Sequence, residues 1–539
     1  MRCRRRLTIL KLVKEAEALM KKKIVMNENN RMTEREVNYI PFRYIVAIFL
    51  VLLETLAVIA IMTALTIYIP YFYIAVVITQ LAVVIAIINS GDNPDYKLPW
   101  LFFVMLIPIV GFMLYFMFYS RRLNKKQVKR IRRYIGQRAE KNDAPELLQI
   151  KRENPLIYSQ AVILNRLSDS HIYGDTDIRY YPLGEELFAA MVADLKTAEK
   201  FIFMEYFIIE RGLFWNTILE ILKQKAASGV EVRVVYDDIG CMMTLPGDYY
   251  KQLGKLGIKS VPFSLLRGQA NNEFNNRSHR KITVIDGKIG FTGGVNLADE
   301  YINRIVKYGH WKDVGIRLQG EAVNELTRLF LIDYNLNDRK SDDSFADYYG
   351  FETCKQDGWC IPFGDGPRPI FARQVAKTVI LGMLTQAKSY VYITSPYLII
   401  DSELVQALEN AAMRGVDVRV ITPHIPDKKL VFSMTRSHYG QLMEAGVRIF
   451  EYESGFIHAK TYLSDDETAM VGTINMDYRS LVHHFENGVW IYRHRVIEDI
   501  KRDFLDTQGK SIRFERSMLK ENAFQGFIRA VAKVFSPLF

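Results

Sequence analysis

Cysteine is scarce in this chain of 539 residues: there are four, Cys3, Cys241, Cys354 and Cys360. So few thiols at this length exclude a disulfide-built scaffold and suit a reducing compartment. Proline (17) and glycine (32) are too sparse for a collagen-like or low-complexity chain. Charged residues make up only 24% against 49% hydrophobic, which excludes disorder as the state of the whole chain. Histidine numbers nine, and the His and Cys spacings contain no zinc-site pattern. Acidic side chains are outnumbered, 60 against 71 Lys and Arg, for a net charge of +11. That surplus points to an anionic partner: nucleic acid, anionic lipid or a phosphorylated substrate. The length suits three or four structural units at roughly 150 residues each.

Charge and apolarity are unevenly spread. Residues 1–43 carry twelve Lys/Arg and five Glu. Three apolar runs follow, 44–65, 71–88 and 99–119, and Glu54 is the one charge inside them. Each is close to the ~20 residues that cross ~30 Å of hydrocarbon. Tyr44, Tyr71, Tyr73, Trp100, Tyr115 and Tyr119 stand at their edges, as interfacial aromatics do. A basic linker, 120–145, opens with RRLNKKQVKRIRR, which has eight positive charges and no acid. The first run begins too late and has too many successors for a cleavable signal peptide. Two basic flanks on one side require an even number of spans, yet there are three runs. One run therefore lies in the interface or re-enters, or one flank is overridden. The last two runs are expected to form a hairpin, its turn NSGDNPDYKL outside and the catalytic part cytoplasmic. The opening MRCRRR is also readable as an upstream extension, since Met26 and Met32 both precede ordinary sequence.

From about residue 150 the pattern becomes α/β, and it repeats. FIFMEYFII (201–209) reads as a strand, residues 214–227 as a helix ended by Gly229, and VEVRVVYDD as the next strand. VYITSPYLII (391–400), a helix over 403–413 ended by Gly415, and VDVRVITP repeat that order. LGKLGIKSV (253–261) matches LMEAGVRIF (442–450), and HRKITVIDGKIGFTGGVN (279–296) matches HAKTYLSDDETAMVGTIN (458–475). The first copy carries about ten extra residues before its histidine, within FSLLRGQANNEF. Duplication predicts a two-lobed, pseudo-twofold fold of mixed sheets flanked by helices, with halves 146–340 and 341–515 and an amphipathic end, 516–539.

Each half holds HxKxxxxD and a Gly-Gly/Thr-x-Asn tail: His279, Lys281, Asp286 and Asn296, then His458, Lys460, Asp465 and Asn475. On a strand, positions i and i+2 share a face, so each His and Lys should project together. Two such strands meeting across a pseudo-twofold axis gather two imidazoles and two ammonium groups. The lysines supply fixed positive charge for a phosphoryl group and the asparagines can donate to its oxygens. One imidazole can attack phosphorus while the other handles the alcohol proton. A lysine beside each histidine opposes a metal, and none is expected. His171, His310, His424, His438 and His494 read as structural, and His483 and His484 lie next to the second motif but outside it. Cys354 and Cys360 allow a metal half-site or a disulfide; without a second pair they are expected to be incidental thiols.

This paired motif resembles the phospholipase D superfamily over roughly residues 150–510. The resemblance implies metal-independent, cofactor-free chemistry through a phosphohistidine. It implies His279 as nucleophile and His458 as general acid, then base, with Asp286 and Asp465 as orienting members of the catalytic set. It also implies that Asp313, in HWKDVGI, holds His458, and that Glu486, in HFENGVW, holds His279. Glu300, in NLADEY, is a further candidate. Within the superfamily the chain is most similar to the bacterial cardiolipin synthases, through NPDYKLPWLFFVMLIPIVGFMLYF, EYFII, GTINMDYRS and FIRAVAKVFSPLF. They join two phosphatidylglycerols and release glycerol, so phosphatidylglycerol and anionic lipids of a bacterial cell membrane are the implied partners. A hydrolase, a transphosphatidylase with another acceptor alcohol, a membrane-tethered nuclease and an inactive lipid-binding scaffold are the rivals. Outside the two basic flanks and the apolar runs the chain is slightly acidic, which argues against a nucleic-acid channel.

Overall fold

The computed structural model describes residues 42–538, except 69, 117–124, 264–275, 339, 351–353, 355–356, 369, 372, 519–525 and 527–530. The basic segment 1–41, the extra residues before His279 and part of the amphipathic end lie outside the described residues.

The apolar runs become α1 (Phe42–Tyr68), α2 (Pro70–Asn89), α3 (Pro94–Leu106) and α4 (Pro108–Leu114). By length and apolarity α2 is able to cross a membrane. The third run is not a single helix. Pro108 cannot donate its backbone nitrogen, and the chain breaks at Ile107 (φ −132°, ψ 76°). The turn between α2 and α3 also departs from expectation, because it is bound to the catalytic part. Asn93 Nδ2 donates to Asp401 at 2.8 Å, and Ser402 N donates to Asp95 at 2.6 Å. The basic helix α5 (Lys125–Ile135) then joins the main core through Ile131 and Tyr134.

Two mixed sheets follow. The first contains β1 (Thr176–Tyr181), β2 (Phe201–Tyr206), β3 (Glu231–Asp237), β4 (Lys259–Phe263), β5 (Lys281–Ile285) and β6 (Ile289–Gly293). After β7 (His310–Lys312), which pairs elsewhere, it is completed by β8 (Gly315–Gly320). Its order is β1-β8-β6-β5-β2-β3-β4. The second half supplies β9 (Trp359–Asp365), β10 (Tyr390–Thr394), β11 (Leu398–Ile399), β12 (Asp417–Pro423), β13 (Arg448–Tyr452) and β14 (Gly455–Ile457). It continues with β15 (Thr461–Ser464), β16 (Thr468–Gly472), β17 (Met476–Asp477), β18 (Glu486–Tyr492) and β19 (Ser511–Arg513). The second sheet runs β19-β13-β12-β10-β15-β16-β18-β9. Apart from edge strand β19, the two orders superimpose element for element, and so do the parallel and antiparallel pairings.

Local chemistry explains the repeat. β2 is buried at every position, as a central strand covered on both faces must be. Helix α6 (Leu213–Ala227) buries Phe214, Trp215, Ile218, Ile221 and Leu222, one stripe at helical spacing. Gly229 (φ 93°) and Gly415 (φ 90°) end the matched helices in left-handed conformation; a Cβ at either would meet nothing, so backbone geometry alone asks for glycine. The expected long strands are shorter than the apolar runs suggest. After Tyr206 the chain leaves the sheet and carries Phe207 to His279, with ring centroids 5.1 Å apart. After Thr394 the chain leaves the second sheet too, and Pro396, which has no N–H to give a ladder, separates β10 from β11. One apolar core crosses the boundary between halves: Leu329 and Phe330 of α7 (Val323–Asn337) share it with Ile361 and Phe363 of β9.

Candidate active site

The two motif histidines precede their strands instead of lying on them. β5 starts at Lys281 and β15 at Thr461, so His279 and His458 sit in the segments leading in. Their backbones are claimed by the opposite half. His279 N donates to Phe485 O at 2.8 Å, and His458 N donates to Lys312 O at 2.7 Å. Each acceptor immediately precedes a carboxylate, and the carboxylates complete the crossing. His279 Nδ1 lies 2.9 and 3.0 Å from the two oxygens of Glu486. His458 Nδ1 lies 2.6 Å from Asp313 Oδ2. The parallel pairing of β7 with β14 and the bridge from Ser278 to Phe485 are the backbone hinges of this exchange. All four side chains are buried.

An ionised carboxylate only accepts, so the Nδ1 facing it must carry the proton. For His279, whose carboxylate stays ionised, the lone pair is then on Nε2. Burial pushes His279 down to about 3 against the pull of Glu486, which makes it a neutral base at ordinary pH. Burial alone would raise Glu486, but His279 and His484 outweigh it and hold the carboxylate below its usual range. The other pair differs. Burial raises Asp313 to about 7, with Lys460 opposing the rise. His458 is pushed well down by burial and by the charges of Lys460 and Lys281. The Asp313–His458 pair therefore keeps one shared proton up to near neutrality, and the Glu486–His279 pair does not. Each lysine folds back on its own histidine: Lys281 Nζ donates to His279 O at 2.6 Å, and Lys460 Nζ to His458 O. Burial brings them down to about 7 and about 8.

The two pairs also differ at one residue in each tail. Thr473 Oγ1 donates to Glu486 Oε2. Gly294 stands at the matching position, and a Cβ there would lie 2.0 Å from Asp313 Oδ1. One carboxylate thus gains a hydroxyl donor, while the other is packed against bare backbone. His484 also stands at the Glu486 end, its Nδ1 3.7 Å from Glu486 Oε1 and its ring 5.5 Å from that of His279. Among the described residues, His279, His484 and Glu486 are the one group whose ligand atoms lie close enough to share a metal ion. These side chains already serve one another and have the Lys281 charge beside them. Aromatic rings wall the imidazoles: Phe207 on His279, and Tyr301, Trp311 and Phe456 within 6 Å of His458.

Other expected members are placed elsewhere. Asp286 and Asp465 cap the far ends of β5 and β15, seven residues beyond their histidines and so roughly 20 Å along extended chain. Asp286 accepts from Glu199 N, Lys200 N and Phe201 N, each at 2.8 Å. Asp465 accepts from Lys388 N, Ser389 N and Tyr390 N at 2.7 to 2.8 Å. Both bind the start of the neighbouring strand and neither meets an imidazole. Asn296 accepts from Ile208 N and donates to the Tyr301 hydroxyl, so it is largely engaged. Asn475 donates to Asp477, and its Oδ1 is buried without a partner. Glu300 pairs with Lys307 at 3.4 Å. Cys354 and Cys360 are not joined in a disulfide. Thr473 and His484 were not foreseen as members, although the GTIN tail against GGVN was a visible signal for the first.

Two His–Lys segments exchanged across a duplicated sheet, each imidazole backed by the other half's carboxylate, define a phospholipase D-like transferase. Residues 191–311 and 380–507 match the family described as cardiolipin synthase, PLD-like domain, and 78–118 match a phospholipase D-nuclease N-terminal family. An uncharacterized protein of Streptococcus mutans is 41% identical over 467 residues, 84% of this chain and 99% of that one. The cardiolipin synthase of Alkalihalophilus pseudofirmus is 33% identical over 484 residues, 86% of this chain and 93% of that one. The fold is also that of a phosphatidylserine synthase from Haemophilus influenzae (TM-score 0.55, 15% identity, 70% of this chain and 97% of that one). The chain belongs to the cardiolipin synthase family and is a phosphatidyltransferase of the phospholipase D superfamily.

Proposed function

We propose that the enzyme transfers a phosphatidyl group from one phosphatidylglycerol to another, giving cardiolipin and glycerol. His279 Nε2 attacks phosphorus and the bond to the glycerol oxygen breaks. His458 gives that oxygen its proton. The hydroxyl of a second phosphatidylglycerol then loses its proton to His458 and attacks the phosphohistidine, and the P–N bond breaks. Lys281 and Lys460 hold positive charge beside the phosphoryl oxygens. Asn296 and Asn475 each have an amide hydrogen left for the substrate phosphate. Glu486 and Asp313 fix the tautomers, while Asp286 and Asp465 hold the strand ends.

The observation that carries the reading is the crossed pairing of two imidazoles, each backed by the other half's carboxylate. A nucleophile must be unprotonated and a general acid protonated at one pH. The Glu486–His279 pair suits the first task and the Asp313–His458 pair the second. The aromatic wall supports transfer to a lipid alcohol over water. The chain is anchored in a bacterial cell membrane through α1 and α2, its catalytic halves, 146–340 and 341–515, on the cytoplasmic side. Purified full-length protein is to be incubated with phosphatidylglycerol vesicles, and cardiolipin, phosphatidic acid and glycerol measured. Cardiolipin and glycerol in equal amounts are expected; glycerol with phosphatidic acid alone would make the enzyme a hydrolase.

A further inference from the structure

The membrane-facing helices hold a feature that hydropathy does not disclose. The segment that holds α3 and α4 is tied to the catalytic domain before α3 and again at α5. At the start, Asn93 and Asp95 bind Asp401 and Ser402, and Arg368 donates to Gly91 O at 2.9 Å. At the finish, α5 is part of the catalytic core: Tyr134 stacks on Phe345, and Arg130 donates to Asp338 O at 3.1 Å. A helix that crossed the bilayer could not have both ends there.

Between these points the chain doubles back. α4 lies so close against α3 that a Cβ on Gly111 would sit 2.2 Å from Phe103 O and 2.7 Å from Val104 Cα. Glycine is what permits that contact. The turn at Ile107 leaves the last carbonyls of α3 without helical partners, which is costly in hydrocarbon. Gln80 answers them. Its side-chain amide nitrogen, Nε2, donates to Val104 O at 3.0 Å and reaches Met105 O at 3.3 Å. Gln80 stands at the midpoint of the 20-residue α2. The turn of the hairpin is therefore level with the middle of the spanning helix, and α3, at 13 residues, is about 20 Å long. Leu98, Phe102, Met105, Leu106 and Ile107 are 45 to 65% exposed on its outer surface, so they call for an apolar medium.

We infer that residues 94–114 form a re-entrant hairpin seated in one leaflet of the bilayer, the leaflet facing the catalytic domain, with its turn at mid-membrane. The partner is that single leaflet, anionic at its surface, since the basic stretch RRLNKKQVKRIRR follows in the sequence. The C-terminal segment lies along the same surface, Phe535 packing on Phe102 and Phe103 at 5.5 and 5.1 Å. With α1 and α2 as the two spans, both basic flanks fall on one side, and the parity conflict of three runs disappears. The hairpin also sets the leaflet beside the chemistry: the ring of Tyr96, on α3, is 5.4 Å from that of His483, and His484 next to it faces His279. The inference rests on the membrane anchoring proposed above.

The test is sided labelling of the full-length chain in cells and in inverted membrane vesicles, with an impermeant maleimide. Single additions Tyr71→Cys, Gly91→Cys, Leu106→Cys and Lys129→Cys are compared with the parent and its four cysteines. Tyr71→Cys should react from outside, and Gly91→Cys and Lys129→Cys only in inverted vesicles. Leu106→Cys should resist the impermeant reagent from both sides and react with a lipid-soluble one. Gly91→Cys and Lys129→Cys reacting from opposite sides would overturn the hairpin and leave the anchoring intact. Recovery of the chain in the soluble fraction would overturn both. Gln80→Met keeps the bulk and removes the donor, and should lower the thermal midpoint in detergent; an unchanged midpoint would refute the mid-membrane cap.

Discussion

The first half hands His279 to a glutamate of the second, and the second hands His458 to an aspartate of the first. Strand order, the left-handed turns and the backbone clasp on each histidine are the same on both sides. The carboxylates are not. Glu486 collects donors from His279 and Thr473 and has His484 beside it, and stays ionised. Asp313 has His458 and the N–H of Val314, and burial raises it to about 7. A duplicated scaffold gives two equal places to stand, and a few side chains then make one place basic and the other acidic.

The sharpest way to break this comparison is to remove each imidazole in turn. His279→Asn should lose on the order of 10⁴ or more in turnover, and no phosphoenzyme should accumulate. His458→Asn should lose about 10²–10⁴ with phosphatidylglycerol. It should still form phosphohistidine from a phosphatidyl ester of p-nitrophenol, whose leaving group needs no proton. Trapping the phosphoenzyme in the His279 variant instead would exchange the two roles.

Gly294→Ala attacks the acidic pair alone. The new Cβ cannot coexist with Asp313 Oδ1 at 2.0 Å, so the carboxylate must leave its place under His458. A misplacement of that size costs about 10²-fold. Rapid-quench measurement should find the loss in glycerol release, and a normal rate would mean that Asp313 does not orient His458. Thr473→Val attacks the basic pair. Hydrogen bonds to charged groups contribute about 1.5–3 kcal/mol, so phosphoenzyme formation should slow about 10- to 100-fold. The pH profile sharpens the same contrast. As pH rises through about 7 the Asp313–His458 pair loses its shared proton, and Lys281 loses its charge over the same range. kcat/KM should therefore fall on the alkaline side, while the fall set by protonation of His279 lies near pH 3. A profile flat from pH 6 to 9 would remove the acid role from that pair.

The duplicated sheet was legible because repeats are properties of order along the chain, and the crossing of Asp313 and Glu486 was implied by the family resemblance that the paired motif carries. Direction in space is not a property of order. The third apolar run has the length and hydropathy of a span, and nothing in apolarity tells that Pro108 turns it back or that Gln80, 24 residues before Val104, caps the turn. The placement of His279 before its strand was hidden for the same reason: its backbone partner, Phe485, is 206 positions away along the chain. Asp286 and Asp465 were drawn into the catalytic set by their place in the motif, but HxKxxxxD covers a strand and its exit turn. The spacing records the length of that strand as much as the chemistry at its start.

That reading of the motif aspartates gives the smallest effect on chemistry and a clear effect on folding. Each carboxylate uses two oxygens to hold three N–H groups at the start of the adjacent strand. Asparagine tolerates the left-handed conformation found at both positions (φ 54°), so the backbone has no reason to move. It has one acceptor oxygen, however, and its NH₂ would face an N–H that formerly donated. Each substitution should therefore cost about 1–3 kcal/mol of stability, the penalty of a lost partner. Asp286→Asn and Asp465→Asn should be alike, because their surroundings are alike, which the two histidine variants are not. Thermal unfolding with kcat measured on the folded fraction separates the two contributions. Lower midpoints with kcat within a few-fold of the parent are expected. A kcat loss of the size seen for His458→Asn, at an unchanged midpoint, would return these aspartates to the catalytic set and make the symmetry of the halves chemical as well as architectural.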